Sequence, residues 1–192
     1  NYVTINVSSP NTEGLRKLQA PHLLKEIIKE VKKIEKCPPL FIKIAPDLKL
    51  KEIDEICQLV NDEKITGLIA TNTSLDRFHL GERTIKQTGL KLSQENGGLS
   101  GKPLREKANN IIRHIHKNDK NIVLIGVGGI DSPESAWERI CSGASLLQIY
   151  TGWIYKGPQL VPNILKGILK QIDAHKLSNI KEAIGSELKW LE

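Results

Sequence analysis

Short apolar runs alternate along this chain with longer amphipathic segments. The runs are rich in β-branched and other apolar residues, which is typical of buried strands. They cover Tyr2–Val7, Leu40–Ala45, Ile65–Ala70, Ile122–Val127 and Leu146–Tyr150. Because polar or amphipathic sequence follows each run, the pattern predicts five successive strand–helix units.

The amphipathic segments carry apolar residues at helical spacing. Ser132, Pro133 and Glu134 have the pattern of a helix N-cap, a first-turn proline and an acidic residue in the first turn. The other predicted helices are Pro21–Lys36, a segment containing Ile53, Ile56 and Val60, Leu104–Lys117 and Pro158–Ile172.

Strands separated by helices pair in parallel, and strands that are apolar on both faces form a sheet covered by helices. A doubly wound sheet usually shows a G-x-G-x-x-G turn, and the sequence "GVGG" at 126–129 lacks that spacing. A (β/α)₈ barrel places its polar residues on the loops that follow the strands, where they lie here. We therefore expect an α/β fold, a parallel TIM barrel, of which residues 1–192 supply about five βα units, strands four to eight.

Such a barrel needs about 250 residues, whereas this chain has 192 and contains no methionine. We therefore expect the chain to be the C-terminal part of a single domain, with the N-terminal strands absent. Hydrophobic residues make up 39% and charged residues 26% of the chain, a balance typical of a soluble globular protein. No apolar run approaches the roughly 18 residues of a membrane-spanning helix.

The net charge of +6 raises the question of a nucleic-acid partner. The lysines are spread over predicted helices, whose outer faces must be solvated, and aromatic residues are only 4% of the chain, too few for a base-stacking surface. We expect no nucleic-acid partner.

Metal and disulfide chemistry find little support in the sequence. Cys37, Cys57 and Cys141 are odd in number and far apart, which is typical of reduced thiols in a cytosolic setting. The histidines lack carboxylate partners at ligand spacing, so we expect surface residues and no metal site. They are His22, His79, His114, His116 and His175.

Uncharged polar residues follow the first and third predicted strands. The first strand leads into "NVSSPN", residues 6–11, and the third ends at Thr71, Asn72 and Thr73. In a barrel both loops would open to the same mouth. Their amides and hydroxyls suit a planar amide or imide ring better than a metal ion. Ordinary turn chemistry is the alternative for "NVSSPN".

Two further features point to an anionic ligand. Alternation along the second strand places Lys43 on the face of Phe41 and Ala45, inside a barrel, where its ammonium needs an anionic or electron-rich partner. A lysine that reaches solvent at the strand end is the alternative. Gly128 and Gly129 follow the fourth strand, where glycines let backbone N–H groups approach a phosphate, or simply form a tight turn.

A set of motifs, found in order along the chain, resembles the C-terminal portion of the class 2 dihydroorotate dehydrogenases. They are "INVSSPNT", "GLR", "KIAPD", "IATNT", "GGLSGKPL", "IGVGGI", "GASLLQIYTGWIYKGP" and "NIKEAIG". The resemblance implies an FMN across the top of a (β/α)₈ barrel, with dihydroorotate stacked against the flavin. One departure is Glu13, where the family usually has proline.

The resemblance also implies a role for each matching residue. Ser9 would be the catalytic base, and serine rather than cysteine at this position implies class 2. Substrate contacts are implied for Asn6, Asn11, Asn72 and Thr73. FMN contacts are implied for Asn6, Lys43, Thr71, Gly101, Gly129, Tyr150 and Thr151.

Class 2 membership implies oxidation of dihydroorotate to orotate in UMP biosynthesis, with a quinone as electron acceptor. It further implies a peripheral enzyme on the cytoplasmic side of a bacterial cell membrane, or on the mitochondrial inner membrane of a eukaryote. Membrane contact would come from an N-terminal helical segment that we expect to be absent here, and we expect the chain alone to be inactive. Two alternatives stay open: a non-redox phosphate-binding barrel, such as a synthase of tryptophan or thiamine biosynthesis, and a non-catalytic half-barrel.

Overall fold

The computed structural model describes residues 1–77, 80–81 and 84–191. Five strands form one parallel sheet in the order β1-β2-β3-β4-β5. The strands are Val3–Asn6 (β1), Leu40–Ile44 (β2), Gly67–Ala70 (β3), Val123–Val127 (β4) and Leu146–Gln148 (β5). Spatial order follows chain order, as in a barrel, whereas a doubly wound sheet reverses direction at a switch point. The predicted parallel sheet is confirmed.

Helices alternate with these strands. They are Pro21–Lys32 (α1), Leu50–Asp62 (α2), Arg105–Asn118 (α3), Pro133–Cys141 (α4), Thr151–Lys156 (α5) and Leu160–Ala174 (α6). The N-cap predicted at Ser132 is present, since the Ser135 backbone N–H donates to Ser132 Oγ at 3.2 Å.

Several predicted boundaries differ from the structure by one to four residues, and two of these differences have a clear physical cause. The first helix ends at Lys32, four residues before the predicted Lys36, which itself adopts a positive φ of 58° and so cannot continue a helix. The fifth strand ends at Gln148, and a short helix, α5, begins at Thr151. A β-carbon at Gly152 would lie 2.2 Å from the Ile130 carbonyl oxygen, so this close approach of two backbones requires glycine there.

The sheet is apolar on both faces. One face packs against the helices, and its buried side chains include Ile5, Ile42, Leu68 and Leu124, joined by Leu24, Ile28, Ile53 and Ile112 of α1 to α3. The other face carries a smaller cluster of Phe41, Ile69 and Ile125. Lys43 alternates with Ile42 and Ile44 along β2 and therefore lies on this second face, as predicted.

The sheet bends toward its second face. Gln148 Nε2 at the end of β5 donates a hydrogen bond to the Tyr2 hydroxyl, just before β1, at 2.8 Å. The Tyr2 ring also contacts the Phe41 ring edge-on, with centroids 5.2 Å apart. Side chains from the two edges of the sheet are therefore in contact, although three strands lie between β1 and β5. The sheet must curve into an arc, with the helices on its outside. This is a partial TIM barrel.

The two outermost strands leave apolar side chains open to water. Leu146 on β5 is 52% exposed, and Trp153 and Leu165 lie on the helices beside it. Unpaired strand edges with apolar neighbours promote association. We expect the 192-residue chain, prepared alone, to self-associate in sedimentation velocity experiments, and Leu146→Lys to reduce that association.

A matched control tests whether the edge is responsible. Ile34 is 61% exposed but lies beyond α1, away from both outermost strands. Ile34→Lys should therefore leave the association unchanged. A chain that sediments as a monomer at all concentrations would contradict this prediction.

Candidate active site

The loops after β1 and β3 meet at the carboxyl edge of the sheet. Ser8 is fully buried there, and its hydroxyl donates to Asn6 Oδ1 at 3.0 Å. Asn72 Nδ2 donates to Ser8 Oγ at 3.0 Å and lies 3.3 Å from Asn6 Oδ1. The side-chain oxygen of Asn72, Oδ1, in turn accepts a hydrogen bond from the Thr73 backbone N–H at 2.8 Å. The two polar loops therefore open to one mouth, as the sequence predicted.

Two adjacent serines differ in their hydrogen bonding. Ser8 Oγ is held between Asn6 and Asn72, so both its hydrogen and a lone pair are engaged. Ser9 is half-buried, and its oxygen accepts the Asn11 backbone N–H at 3.2 Å. Within the described part of the chain the Ser9 hydroxyl hydrogen has no acceptor. Ser9 is thus the serine that retains a free donor, whereas Ser8 supports the loop.

Arg16 ties these loops together. Its Nε donates to the Ser8 carbonyl at 3.0 Å and its Nη2 to the Thr73 carbonyl at 2.6 Å. Its Nη1 donates to Asp47 Oδ2 at 2.8 Å. Arg16 and Asp47 lie in the motifs "GLR" and "KIAPD", but neither was predicted to have a role. Together they fix three loops that follow three different strands.

Asp47 is the anionic centre of this network. Burial alone would raise the pKa of its carboxyl, but hydrogen bonds from the Ser74 hydroxyl, the Leu75 N–H, Lys107 and Arg16 outweigh it. The result is a pKa of about 2. The carboxylate is therefore ionised in the folded protein at any physiological pH.

Asp47→Asn is expected to lower the free energy of unfolding at neutral pH by roughly 2 kcal/mol, because one pKa unit corresponds to about 1.4 kcal/mol. A carboxyl whose pKa is depressed on folding stabilises the protein above its unfolded pKa, and this contribution is lost as the pH falls toward the folded pKa. The stability of the parent protein should therefore fall between about pH 3.8 and pH 2, and the variant should lack that component.

Chemical denaturation at a series of pH values measures both quantities. Asp173→Asn, at an exposed carboxylate on α6, serves as the control and should change stability by less than about 0.5 kcal/mol. Equal effects of the two substitutions would show that the Asp47 network does not stabilise the fold.

A cleft of ≈ 220 Å³ opens beside the network, on the concave side of the sheet. Eight of the predicted site residues line it: Lys43, Thr71, Asn72, Thr73, Gly101, Gly129, Tyr150 and Thr151. Asn6, Ser9 and Asn11 are not among its walls and lie beside it on the β1 loop, which Asn72 joins to the cleft. Tyr150 is 75% exposed, although it is among the residues that line the cleft.

Two polar groups of the cleft lack partners. Lys43 is half-buried, desolvation lowers its pKa, and it makes no hydrogen bond or ion pair with any described residue. Thr71 is buried, and its hydroxyl has no partner among the described residues either. Unpaired buried polar groups are costly, so both are suited to a ligand that occupies the cleft.

Two glycine-rich segments, around Gly98 and around Gly129, pack closely against neighbouring parts of the site. Gly129 has a φ of 73°, and a β-carbon there would lie 2.6 Å from Arg105 Cβ, so both the turn and the packing require glycine. Gly98 approaches the β1 loop so closely that a β-carbon would lie 2.9 Å from Pro10 Cγ and would overlap the Thr73 hydroxyl. The segment around Gly98 therefore covers the side of the site next to Ser9.

The described histidines and the cysteines are not among the residues that line the cleft. His114 has a carboxylate partner on another helix, since its Nε2 lies 2.6 Å from Asp54 Oδ1. The contact joins α2 to α3 across 60 positions of sequence, which residue spacing does not reveal. His116 and His175 are half-buried, the latter stacked on Trp137, and His79 lies outside the described residues.

Three observations concern the remaining expectations. Cys37, Cys57 and Cys141 are free thiols. The described ranges hold no group of three or more His, Cys, Asp or Glu side chains arranged to bind a metal ion. Among the helices of residues 1–77, 80–81 and 84–191, none is long and apolar enough to cross a membrane.

An arc of parallel strands, with polar residues and glycine turns at its carboxyl edge, defines part of a (β/α)₈ barrel. A sequence profile of the family "Dihydroorotate dehydrogenase" matches residues 1–172. The chain belongs to the dihydroorotate dehydrogenase family, which confirms the resemblance seen in its motifs.

Individual relatives agree with this assignment. The chain is 52% identical to the dihydroorotate dehydrogenase (quinone) of Prochlorococcus marinus over 99% of its own length and 49% of the relative. It is 47% identical to that of Trichormus variabilis over 98% of its own length and 51% of the relative. The chain thus spans about half the length of these proteins.

Solved structures show the same relation. A dihydroorotate dehydrogenase of Eimeria tenella in complex with ferulenol aligns with a TM-score of 0.83 and 31% identity, over 96% of this chain and 53% of that one. The ligand-free form aligns with a TM-score of 0.84 and 32% identity, over 97% and 56% respectively.

Proposed function

We propose that this chain forms the C-terminal half of the catalytic domain of a quinone-dependent dihydroorotate dehydrogenase, which oxidises (S)-dihydroorotate to orotate with FMN. The observation that carries the proposal is the cleft itself. It gathers predicted cofactor and substrate residues from four strand ends, and two of them, Lys43 and Thr71, have polar groups without partners among the described residues.

The residues of the cleft fit FMN. Lys43 and Thr71 would hold the flavin ring, where a cation and a hydroxyl donor stabilise negative charge on the ring. Gly101, Gly129, Tyr150 and Thr151 would hold the ribityl phosphate at the glycine-rich end. When bound, the FMN would supply the redox chemistry by accepting hydride from C6 of dihydroorotate.

The β1 loop and Asn72 would bind the pyrimidine. Asn6, Asn11, Asn72 and Thr73 offer amide and hydroxyl groups that match the ring's N–H and C=O groups without competing for a proton. Asn6 and Asn72 are held in place through Ser8. Ser9 would then accept the proton from C5, with the loop fixed by Pro10 and by Arg16 beneath it.

Quinone use and location are proposed from the same relationship. The relatives are named dihydroorotate dehydrogenase (quinone), and Ser9 stands where class 1 enzymes carry cysteine. We therefore propose a quinone as the electron acceptor and peripheral attachment at the cytoplasmic side of a bacterial membrane, or at the mitochondrial inner membrane of a eukaryote. The 192-residue chain alone is proposed to be inactive.

The alternatives explain less of the structure. A phosphate-binding synthase would use the glycine turn but would leave the polar residues of "NVSSPN" and of Thr71, Asn72 and Thr73 unexplained. A non-catalytic half-barrel would need none of the polar groups of the cleft that lack partners among the described residues.

Purification of the full-length gene product tests the proposal. The protein should be yellow, should release FMN on denaturation and should turn over dihydroorotate to orotate repeatedly only when a quinone is added. A colourless protein would support a synthase instead. A yellow protein that forms no orotate with any acceptor would support the non-catalytic alternative.

A further inference from the structure

Arg139 of α4 is fully buried, yet no carboxylate is among its hydrogen-bond partners. Its Nε donates to Asn109 Oδ1, and its Nη1 donates to the Val127 carbonyl at 3.1 Å. Its Nη2 donates to the carbonyls of Gly128 at 2.7 Å and Arg105 at 3.2 Å. Burial lowers its pKa to about 10, so the guanidinium remains charged at neutral pH. Glu138 acts on the guanidinium electrostatically and offsets part of this effect, but burial of a cation without a hydrogen-bonded carboxylate is still costly and calls for a reason.

The carbonyl groups that accept hydrogen bonds from Arg139 indicate why it is buried. Val127 ends β4, and Gly128 and Gly129 form the turn at the glycine-rich end of the cleft. A carbonyl and the N–H of the next residue share one planar trans peptide and point in opposite directions. Donors that hold the Val127 and Gly128 carbonyls on the core side therefore direct the N–H groups of Gly128 and Gly129 away from the core.

A second guanidinium continues this arrangement. Arg105 Nε donates to the Gly129 carbonyl at 2.9 Å, and Arg105 also contacts Asp131. Three successive carbonyls of the turn thus accept arginine donors. Within the described part of the chain the Gly129 N–H donates to no acceptor, although it lies in the wall of the cleft.

We propose that Arg139 is a positioning residue for phosphate recognition: it holds the Gly128–Gly129 turn with its N–H groups toward the cleft and places a positive charge, hydrogen-bonded to no carboxylate, behind them. In a buried setting that charge is weakly screened and favours an anion at the turn. The inference rests on the proposed function, because it assumes that the ligand's phosphate lies at this end of the cleft.

A purely structural role for Arg139 predicts something different. If Arg139 only joined α4 to the sheet, its loss would weaken every ligand of the cleft equally. A role toward phosphate predicts a loss confined to ligands that carry phosphate. FMN and riboflavin differ only in that group, so the ratio of their dissociation constants separates the two roles.

The experiment uses the apo form of the full-length gene product, titrated with FMN and with riboflavin while flavin fluorescence is followed. Arg139→Met should raise the dissociation constant for FMN by about 10- to 100-fold, the range expected when hydrogen bonds to a charged group are impaired, and that for riboflavin by less than about twofold. Arg139→Lys keeps the charge but loses the fork of donors, so its dissociation constant for FMN should lie between those of Arg139→Met and the parent.

The control is Ile140→Val, a mild truncation of the next residue on the same helix, which packs away from the turn. It should leave the FMN-to-riboflavin ratio unchanged. An unchanged ratio in Arg139→Met overturns the inference, and if that variant does not fold, an unchanged ratio in Arg139→Lys does so. A parent protein that binds both flavins equally also overturns it, whereas one that binds neither overturns the proposed function.

Discussion

Ser9→Ala in the full-length gene product is expected to retain FMN and to bind orotate, yet to reduce its flavin with dihydroorotate about 10²–10⁴-fold more slowly, the usual contribution of a general base. Ser9 is half-buried and its hydroxyl hydrogen has no acceptor among the described residues, so water can take that proton as the oxygen accepts the proton from C5. Because serine is a poor base in water, the geometry of the loop must compensate. Anaerobic stopped-flow absorbance measures the rate.

Ser8→Ala is the matched control. Ser8 Oγ joins Asn6 and Asn72, so its removal should weaken orotate binding and cost about 1 kcal/mol of stability for each hydrogen bond lost. At saturating dihydroorotate, however, the flavin should be reduced at close to the parental rate. If Ser9→Ala reduces its flavin as fast as the parent while Ser8→Ala does not, the base has been assigned to the wrong serine.

Ser9→Cys sharpens the assignment. A thiol in water titrates near pH ~8.5, whereas a serine hydroxyl does not titrate in the accessible range. The cysteine variant should therefore recover partial activity that rises with pH as the thiolate forms. A flat pH profile would indicate that position 9 does not carry the proton.

Lys43→Ala is expected to slow flavin reduction by raising its activation free energy by roughly 2.7–4 kcal/mol. This is the cost of removing one preorganised donor to a developing negative charge. Lys43 lies on the concave face of β2, and it has no partner among the described residues. Desolvation lowers its pKa, which indicates that the ammonium is held away from bulk water. Flavin reduction at saturating dihydroorotate, with folding followed by circular dichroism, measures the effect.

Lys51→Ala provides the comparison, because Lys51 lies on the exposed face of α2. It should leave both the rate and the fold unchanged. A parental rate in Lys43→Ala would show that Lys43 only reaches toward solvent at the strand end.

The periodicity of the sequence was sufficient to predict the sheet. β-Branched runs gave the five strands, and the alternation along β2 correctly placed Lys43 with Phe41 on the concave face. The ends of the strands and helices were harder to predict. Lys36 carries no signal for its positive φ, and α5 depends on the close approach of Gly152 to Ile130, a contact between distant parts of the chain.

The supporting residues of the site were beyond sequence reasoning for a related reason. Arg16 and Arg139 act mainly on backbone carbonyls, and a backbone acceptor leaves no residue type to recognise. In a sequence, a buried arginine on an amphipathic helix cannot be distinguished from a solvated one. The cleft residues, by contrast, follow directly after strands, where the barrel architecture places chemistry.

The most direct test of the central claim is the absorbance of the bound flavin in the full-length gene product, mixed anaerobically with dihydroorotate. If the cleft between the β1 loop and the Gly128–Gly129 turn holds FMN and presents dihydroorotate to it, the flavin absorbance will bleach, and one orotate will form for each flavin reduced. A flavin that stays oxidised in the presence of saturating dihydroorotate would contradict the account.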